Sequence, residues 1–446
     1  MANSRWRVFL AALPLGAFLA ATSLAQAPGA GSEIRLKPDP TSSVALIGAR
    51  LIDGTGRAPI EAATLVVRDG RVEAAGPTAA VTVPAGAIRV DLSGRTIVPG
   101  LINAHAHVNA SDESTQPVRD QLLAQLRLYA DYGVTTAFVL GSSQADLQDA
   151  IRLRDEQERS VLDRARIYVS SPSVRDAKTP EEARQRANRD ADLKVDAVKM
   201  HINGNAADMT PEVYGALIDQ AHKRGLRAAA HLYYTNDAWG LLKAGIDVFA
   251  HSVRDKDIDP AMAAELKRRK VGYIPTLTRD LSVFVYETTP PFFKDPFFLR
   301  HAADYRAEMT RLVDPALQER TRNSTQAQSI KQALEQASRN VKILADAGAM
   351  IAMGTDTGAG DGRWQGYFEH VELELMVKAG LTPMQALVAA TGGAARVMRL
   401  DAQLGTLQPG RWADLLVLSA NPLADIRNTR QIDSVWIAGR RVASPN

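Results

Sequence analysis

Hydrophobic and polar positions alternate in two different patterns along the chain. Near both ends, short apolar runs of β type are separated by turn residues: VALIGARLID and ATLVVRDGRVEAAG come first, and ADLLVLSA and SVWIAGRRVA come last. Asp69-Gly70 stands between alternating apolar residues, which predicts a β-hairpin. Strands are therefore expected at both ends of the chain, with a different organisation between them.

In the middle of the chain, eight strand-like apolar runs alternate with segments of helical pattern. The runs are TIVPGLINAHAHV, VTTAFVLG, ARIYVSS, VDAVKMHING, LRAAAHLYY, IDVFAHS, VGYIPTL and MIAMGTD. Alternation of strand and helix predicts a parallel sheet, and eight such units favour a closed (β/α)8 or TIM barrel. The predicted fold class is therefore α/β, with the barrel over residues 97–396.

One stretch between the seventh and eighth runs interrupts this alternation. Residues 281–345 begin with the aromatic, proline-rich piece FVYETTPPFFKDPFFL and continue as a long charged helical region. Long excursions in compact domains are usually functional or disordered. We interpret this stretch as an insertion that either caps the barrel mouth or is a surface excursion. Its phenylalanines form an apolar lid or pack the insertion against the barrel.

The first residues have the pattern of an export signal. A positive start, SRWR, precedes the apolar stretch VFLAALPLGAFLAATSLA and a small-residue cleavage site. Residues 1–25 are predicted to be a signal peptide and residues 26–42 a linker, so the mature protein is expected to be periplasmic or secreted. The alternative is an uncleaved anchor, but the run contains Pro14 and Gly16 and falls short of the ~20 apolar residues that a spanning helix needs. No stable membrane insertion is expected after signal removal.

Composition limits the partners further. Lys plus Arg total 53 and Asp plus Glu total 50, a net charge of +3 that leaves no strong basic excess for nucleic acid. The chain has no cysteine, which excludes disulfides and suits an oxidising compartment. A small-molecule substrate is the expected partner, and a homo-oligomer is compatible with the sequence.

Polar residues with metal-binding chemistry lie at the ends of the predicted strands. In a parallel barrel the carboxyl ends of the strands meet at one face, where active sites are found. Two residues on a strand separated by one position point the same way, so the two histidines of HAH aim at one point. We therefore predict a metal site from these strand ends: His105, His107, His231, His251 and Asp356.

Lys199 is the unusual member of this set. A lysine at a strand end inside a barrel would bury an uncompensated charge, which is costly. It is either neutral or paired, or its nitrogen has reacted with CO2 to give a carbamate, an anion able to bridge two cations.

The motifs PGLINAHAHV, VKMH, AAHLY, FAHS and MGTDTG, in this order, resemble those of the metal-dependent amidohydrolase superfamily. The closing PGRWADLLVL resembles the tail that completes that family's small β-sandwich beside the barrel. The resemblance covers nearly all of the mature chain. It implies a composite β-sandwich built from residues 43–96 and 397–446.

The resemblance also implies a division of the ligands between two divalent ions. His105 and His107 bind the more buried ion, and His231 and His251 the more exposed one. The remaining two implied ligands are a carbamylated bridging Lys199, and Asp356, which ligates the buried ion and shuttles the proton in catalysis. Two cations sharing one water lower its pKa toward ~7, which makes a bridging hydroxide available. Zn2+ best fits these ligands, with manganese and cobalt as alternatives.

One departure separates the branches of this superfamily. Its deaminases place a glutamate three residues after the fifth-strand histidine, where this chain has Tyr234 after His231. This difference argues against deamination of a nucleobase. The chain most resembles the imidazolonepropionase-related group that includes Xaa-Pro dipeptidases. Imidazolonepropionase uses one metal and lacks the bridging lysine, so Lys199 points toward the two-metal, peptidase-like members.

We therefore expect an exported binuclear hydrolase that cleaves the amide bond of a small substrate, such as a dipeptide or an N-acyl amino acid. A lactonase or phosphotriesterase using the same site is the first alternative. A single-metal ring hydrolase of the imidazolonepropionase kind is the second. A non-catalytic binding barrel is the third, and the complete ligand set argues against it.

Four further residues near the strand ends are candidates for substrate binding. His201 shares the inward direction of Lys199, and it either orients a substrate carbonyl or carboxylate or holds a ligand in place. Tyr233 faces the mouth or packs at the rim. Arg254 and Arg279 follow the sixth and seventh strands, where each grips a substrate carboxylate with its planar fork or forms an ion pair within its loop.

Overall fold

The computed structural model describes residues 43–111, 113–158 and 161–443 of the 446-residue chain. The predicted signal peptide, residues 1–25, and the predicted linker, residues 26–42, lie outside the described residues. No helix within the three described ranges has both the length and the apolarity that crossing a bilayer requires.

The described residues form sixteen β-strands and fourteen α-helices. The strands, in chain order, are β1 (Val44–Leu51), β2 (Ile60–Arg68), β3 (Arg71–Pro77), β4 (Ile88–Asp91), β5 (Thr96–Pro99), β6 (Leu101–Ala106), β7 (Val134–Val139), β8 (Arg166–Val169), β9 (Ala197–His201), β10 (Arg227–His231), β11 (Val248–Phe249), β12 (Gly272–Tyr273), β13 (Met350–Ile351), β14 (Leu415–Leu418), β15 (Ile432–Ile437) and β16 (Arg440–Ala443). The helices are α1 (Val118–Asp131), α2 (Leu147–Glu156), α3 (Pro180–Asp192), α4 (Pro211–Lys223), α5 (Thr235–Ala244), α6 (Pro260–Arg269), α7 (Leu277–Phe284), α8 (Pro296–Leu299), α9 (Ala302–Leu312), α10 (Pro315–Asn323), α11 (Thr325–Ala347), α12 (Tyr367–Lys378), α13 (Pro383–Ala389) and α14 (Gly392–Val397).

Strands from both chain ends form one mixed sheet of eight strands, which we call the end sheet. Its order is β16-β15-β14-β5-β1-β2-β3, with β4 beside β1. The hairpin predicted at Asp69-Gly70 joins β2 to β3, and both turn residues have positive φ, 50° and 74°, as a tight hairpin turn requires. β14 pairs antiparallel with β5, so the two chain ends share backbone hydrogen bonds.

The middle of the chain forms two parallel sheets, β6-β7-β8 and β9-β10-β11-β12-β13. Isolated parallel bridges connect them at both edges, from Ser170 to Ala197 beside β8 and β9 and from Ala106 to Thr357 beside β6 and β13. Every residue of β6, β7 and β8 is buried, as expected for parallel strands covered on both faces. The architecture is α/β of the TIM-barrel type, with a separate end sheet.

The first predicted strand run forms two strands instead of one. Its beginning is β5 of the end sheet, and its continuation is β6, the first parallel strand. Gly100 lies between them, where an added Cβ would come within 2.1 Å of Thr135 Oγ1. The chain therefore passes from the end sheet to the parallel strands at Gly100.

The predicted insertion, residues 281–345, lies between β12 and β13 and includes α8, α9, α10 and most of α11. Phe297 and Phe298 in α8 are buried. The ring of Phe298 lies 5.3 Å from Trp364 and 5.1 Å from Tyr367, centre to centre. Of the two alternatives for these phenylalanines, the structure supports the second, because they pack the insertion against α12 and the residues before it.

Candidate metal centre

The side chains predicted at the strand ends come together at the carboxyl end of the parallel strands. They are His105 in β6, His107 just after β6, Lys199 and His201 in β9, His231 in β10, His251 just after β11, and Asp356 after β13. The five imidazole rings form a row with centre-to-centre distances of 5.6, 4.7, 4.3 and 3.9 Å, in the order His107, His105, His251, His231 and His201.

One end of this row has the geometry of a metal-binding group. Asp356 Oδ1 lies 2.9 Å from His107 Nε2 and 3.3 Å from His105 Nε2. These separations resemble the ~3.3 Å between two ligand atoms on one tetrahedral zinc ion. Potential ligand atoms of all three residues lie within 4.8 Å of one another. The three side chains therefore fit a shared divalent cation.

Asp356 is held in its ionised form. Burial alone raises the pKa of this carboxyl, but His105, His107 and the Arg363 guanidinium together lower the pKa well below its ordinary value. Arg363 Nη1 lies 2.5 Å from Asp356 Oδ2, the oxygen that faces away from the histidines. One oxygen of Asp356 is thus directed at the histidines while the other is fixed by an arginine.

Lys199 is buried beside the same group. Its Nζ lies 3.4 Å from His105 Nε2 and 3.5 Å from the Leu140 carbonyl oxygen, and no carboxylate in the described part of the chain forms an ion pair with it. Burial lowers the pKa of Lys199 to about 7, against the opposing effect of Asp356. A substantial fraction of this amine is therefore neutral at neutral pH, the form that reacts with CO2.

His251 and His231 come next in the row, between His105 and His201. Burial lowers the pKa of both rings, so both are neutral imidazoles, the form that binds metals. His251 Nδ1 lies 2.7 Å from Thr276 Oγ1, which leaves Nε2 free to act as a ligand. Thr276 has φ 49°, a left-handed conformation that is rare for a β-branched residue. Local backbone strain therefore accompanies the orientation of His251.

A cavity of about 260 Å³ opens beside His231 in this row. It is lined by Asn203, His231, Tyr233, Tyr234, Arg254, Arg279, Gln326, Ser329 and Ile330. The last three residues belong to the start of α11, so this part of the predicted insertion borders the cavity. His201 stacks on His231 at 3.9 Å, and burial lowers its pKa to about 4.

The two arginines predicted for substrate binding differ in their surroundings. Arg254 is buried, pairs with Asp280 at 3.0 Å, donates to the Ser252 carbonyl oxygen at 2.6 Å, and lies 4.6 Å above the Tyr233 ring. Arg279 pairs with the other oxygen of Asp280 at 2.7 Å and is 22% exposed. The guanidinium of Arg254 is engaged by protein groups, whereas Arg279 retains donors beside the cavity.

Several residues that support this centre were not predicted from the sequence. Asp280 follows Arg279 directly, and an Arg-Asp pair at a strand end is a visible signal for it. Thr276 gave no signal, because nothing in the sequence indicates its backbone conformation. Two glutamates of α12, Glu369 and Glu372, are fully buried behind the centre. The only hint of them was acidic residues among apolar ones in EHVELELM.

Residues 96–442 match the model of the amidohydrolase family. The chain therefore belongs to the amidohydrolase family, as the sequence motifs predicted. It is 26% identical over 399 residues to the imidazolonepropionase of Streptomyces avermitilis, which covers 86% of this chain and 87% of that protein. It is also 26% identical over 240 residues to an uncharacterized protein of Mycobacterium bovis, covering 51% of this chain and 60% of that relative's length.

Solved structures give the same picture of the fold. A proposed prolidase from Bifidobacterium longum is 27% identical, with a TM-score of 0.73 over 91% of this chain and 95% of that one. A Xaa-Pro dipeptidase with methionine bound in its active site is 18% identical, with a TM-score of 0.70 over 91% of this chain and all of that one. At this identity the similarity is evidence for a shared fold only. The predicted resemblance to the imidazolonepropionase and dipeptidase group is confirmed.

Proposed function

We propose that this protein is an exported binuclear metal-dependent hydrolase that cleaves the amide bond of a small substrate, such as a dipeptide or an N-acyl amino acid. The observation that carries the proposal is the convergence of four histidines, one carboxylate and one buried lysine at the carboxyl ends of the parallel strands. The prolidase and imidazolonepropionase relatives support an amide or a related carbon–nitrogen bond as the target.

We propose that the site holds two divalent metal ions, both Zn2+. His105, His107 and Asp356 hold the more buried ion in this proposal, and His231 and His251 hold the more exposed one. Imidazole and carboxylate are ligands that suit zinc. When bound, such ions lower the pKa of a water molecule and polarise the scissile carbonyl.

We propose that Lys199 carries a CO2-derived carbamate that bridges the two ions. Its burial without a carboxylate partner supports this modification, since a free ammonium would be uncompensated there. Its Nζ lies 3.4 Å from His105 Nε2, on the side where the two groups of histidines adjoin.

In this proposal, other roles of the site's side chains are proton transfer and substrate binding. Asp356 accepts the proton of the attacking water and delivers it to the leaving nitrogen, while Arg363 fixes the orientation of its carboxylate. Arg279 binds a substrate carboxylate with the donors it keeps beside the cavity. Tyr233 and His201 orient the substrate from the same wall.

The cavity sets the size and polarity of the substrate. Its volume of about 260 Å³ suits a small molecule rather than a folded polypeptide. Most of its lining side chains are polar or charged, which favours a substrate with hydrogen-bonding and ionic groups.

Two alternatives use the same residues. A lactonase or phosphotriesterase follows if the same activated water attacks an ester or phosphoester. A single-metal ring hydrolase of the imidazolonepropionase kind is favoured by one specific observation. Within the described residues, His105, His107 and Asp356 form the one group of three histidine or carboxylate side chains whose ligand atoms lie within 4.8 Å of one another.

Metal content distinguishes the binuclear proposal from the single-metal alternative. Wild type and Lys199→Ala are purified in parallel and analysed for metal per chain by elemental analysis. The binuclear proposal predicts about two equivalents in wild type and a sharp loss in the variant. One equivalent that is unaffected by the substitution would exclude Lys199 as a ligand and favour the single-metal ring hydrolase.

A substrate panel then tests the reaction. Dipeptides and N-acyl amino acids are compared with lactones and aryl phosphotriesters, using the metal-loaded full chain. Turnover of the first group supports the amide hydrolase. Turnover only of the second group would contradict it.

Three further proposals concern the whole protein. We propose that the parallel strands close into one eight-stranded barrel, supported by the bridges at Ser170–Ala197 and Ala106–Thr357. The SRWR start and the apolar run that follows support export to the periplasm or beyond, without stable membrane insertion. The small net charge supports a small-molecule partner rather than nucleic acid.

A further inference from the structure

Helix α12 places two carboxylates in the protein interior behind the metal centre. Glu369 and Glu372 are both 0% exposed, and neither forms an ion pair with a cation in the described part of the chain. Burial raises the pKa of each carboxyl to about 7. Burying a carboxyl group without a cation costs desolvation free energy, so the hydrogen bonds of each glutamate are expected to offset this cost.

Glu369 connects the backbone that carries His105 to the backbone that carries Asp356. Its Oε1 accepts from Asn103 Nδ2 at 2.6 Å, from Thr357 Oγ1 at 2.7 Å and from Thr355 Oγ1 at 2.9 Å. Thr355 and Thr357 flank Asp356 in the chain. Asn103 Oδ1 in turn accepts from the His105 backbone N–H at 2.9 Å.

This connection lies where the two parallel sheets meet. Beside β6 and β13 the regular ladder is replaced by one isolated bridge, from Ala106 to Thr357. The backbone N–H groups of Asp356 and Thr355 also donate to the His105 carbonyl oxygen, at 2.7 and 3.3 Å. Glu369 therefore adds side-chain hydrogen bonds to the backbone bonds of this junction, between the residues proposed to share the buried ion.

Glu372, three residues further along α12, acts on the other side of the centre. Its Oε1 accepts from the Leu277 N–H at 2.9 Å, and its Oε2 accepts from the N–H and the hydroxyl of Thr278, each at 2.7 Å. These are the first residues of α7, directly after Thr276. Thr276 is the strained residue whose hydroxyl meets His251 Nδ1 at 2.7 Å.

We propose that Glu369 and Glu372 are positioning residues for two separate parts of the metal centre. Glu369 aligns His105 with Asp356, and Glu372 holds the start of α7 so that Thr276 orients His251. The inference rests on the proposed binuclear function. Groups that orient metal ligands commonly contribute 10- to 100-fold to metal affinity.

The test uses the isosteric variants Glu369→Gln and Glu372→Gln in the full chain, with Glu374→Gln as the matched control. Glu374 lies on the same helix but pairs with Arg430, away from the centre. Zn2+ affinity is measured by competition with chelators of graded strength. The Co2+-loaded proteins give a visible absorption spectrum that reports ligand geometry without relying on activity.

A His251→Asn background assigns each effect to one ion, because its remaining site is the one formed by His105, His107 and Asp356. In that background, Glu369→Gln is expected to raise the Zn2+ dissociation constant about tenfold or more. Glu372→Gln is expected to leave it unchanged. In the otherwise wild-type chain, Glu372→Gln is expected to raise the Zn2+ dissociation constant of one of the two metal equivalents by a similar factor and to change the Co2+ spectrum. Glu374→Gln is expected to change neither.

The thermal midpoint of the metal-free variants separates positioning from loss of fold. Unchanged affinities in both glutamine variants would overturn the inference while leaving two equivalents in wild type and the proposed function intact. The inference would also be overturned if both variants lowered the Zn2+ affinity of both metal equivalents equally and lowered the thermal midpoint of the metal-free protein to a matching extent. Absence of metal binding by wild type would overturn the proposed function itself, and the inference with it.

Discussion

Arg254 and Arg279 share the carboxylate of Asp280, but they present different groups to the cavity. The Arg254 side chain is 2% exposed and donates to backbone carbonyl oxygens, whereas the Arg279 side chain is 22% exposed. Charge-assisted hydrogen bonds from a guanidinium to a carboxylate are among the stronger polar contacts in proteins. Asp280 therefore fixes Arg279 in place, and the free donors of Arg279 are suited to recognise an anionic substrate group.

Replacing Arg279 by methionine is expected to raise KM for a dipeptide by about 10- to 100-fold, with a smaller change in kcat. The loss corresponds to the ~1.5–3 kcal/mol of a hydrogen bond to a charged group. The measurement is kcat and KM for a dipeptide and for the same dipeptide with its C-terminus amidated.

The amidated substrate serves as the control for this prediction. Without a carboxylate it should gain nothing from Arg279, so its kinetics should hardly differ between wild type and variant. An equal rise in KM for both substrates would mean that Arg279 shapes the cavity without recognising a carboxylate. Arg254→Met is expected to lower stability instead, because it leaves buried Asp280 short of a partner.

Individual residues differ in how far the sequence reveals them. The pair His105 and His107 was predictable, because strand alternation directs both to one side. Gly354 in MGTD was also visible in the motif, and its reason is a close approach: an added Cβ would lie 2.9 Å from the His105 backbone nitrogen. Asn103 and Glu369 were not predictable as partners, because 266 positions separate them and only the folded chain brings them together.

At the scale of elements, the number and order of the parallel strands followed from the apolar runs. Their lengths did not, because β11, β12 and β13 have two residues each while the runs that predicted them are longer. Apolar residues just after an assigned strand remain buried, such as Ile274 at 0% exposure, whose N–H still donates to the Phe249 carbonyl oxygen at 2.9 Å. A run of buried apolar residues therefore indicates that a strand is present, but it does not indicate the residue at which the strand ends.

The predicted insertion shows a similar limit. Its helical character was readable from composition, but the position of each part was not. The phenylalanines of α8 pack inward, and the start of α11 lines the cavity through Gln326, Ser329 and Ile330. The phenylalanines therefore follow the packing alternative, and mainly polar residues of α11 border the cavity.

The end of α4 provides an ion pair whose strength depends on pH. His222 Nε2 lies 2.8 Å from Asp247 Oδ2, and this bond raises the pKa of His222 above its ordinary value of 6.5. Since the folded protein binds the proton of His222 more tightly than the unfolded chain does, the pair's contribution to the free energy of unfolding is fully present below the ordinary pKa. It is lost as pH rises through the raised pKa.

His222→Gln is therefore expected to lower the thermal midpoint at pH 5.5, on the order of 1 °C for this partly exposed pair, and to have no effect at pH 8.5. The midpoint of the metal-free protein is measured at both pH values, so that metal binding does not contribute. A larger effect at pH 8.5 than at pH 5.5 would contradict the assignment of the charge.

At the scale of the whole molecule, the two chain ends and the parallel strands are joined through a buried ion pair. Arg166, the first residue of β8, pairs with Asp414 just before β14 at 2.7 Å, with side chains 1% and 5% exposed. Asp414 Oδ1 also accepts from the Ala438 N–H at 2.7 Å. The union of both chain ends was implied by the family resemblance of the closing PGRWADLLVL. This connection was not, because neither residue stands in a recognisable motif.

Asp414→Asn is expected to destabilise the full chain by about 3–5 kcal/mol, because it leaves the Arg166 guanidinium buried without its counter-charge. Denaturant unfolding of the metal-free protein measures the change, and Zn2+ affinity should stay at the wild-type value since the pair lies outside the metal centre. Combining it with Arg166→Met removes the unpaired charge, so the double variant should be more stable than Asp414→Asn alone. If the double variant were less stable, the contacts of Arg166 with its other neighbours, such as the Trp412 ring 4.4 Å away, would outweigh the ion pair in holding the end sheet to the parallel strands.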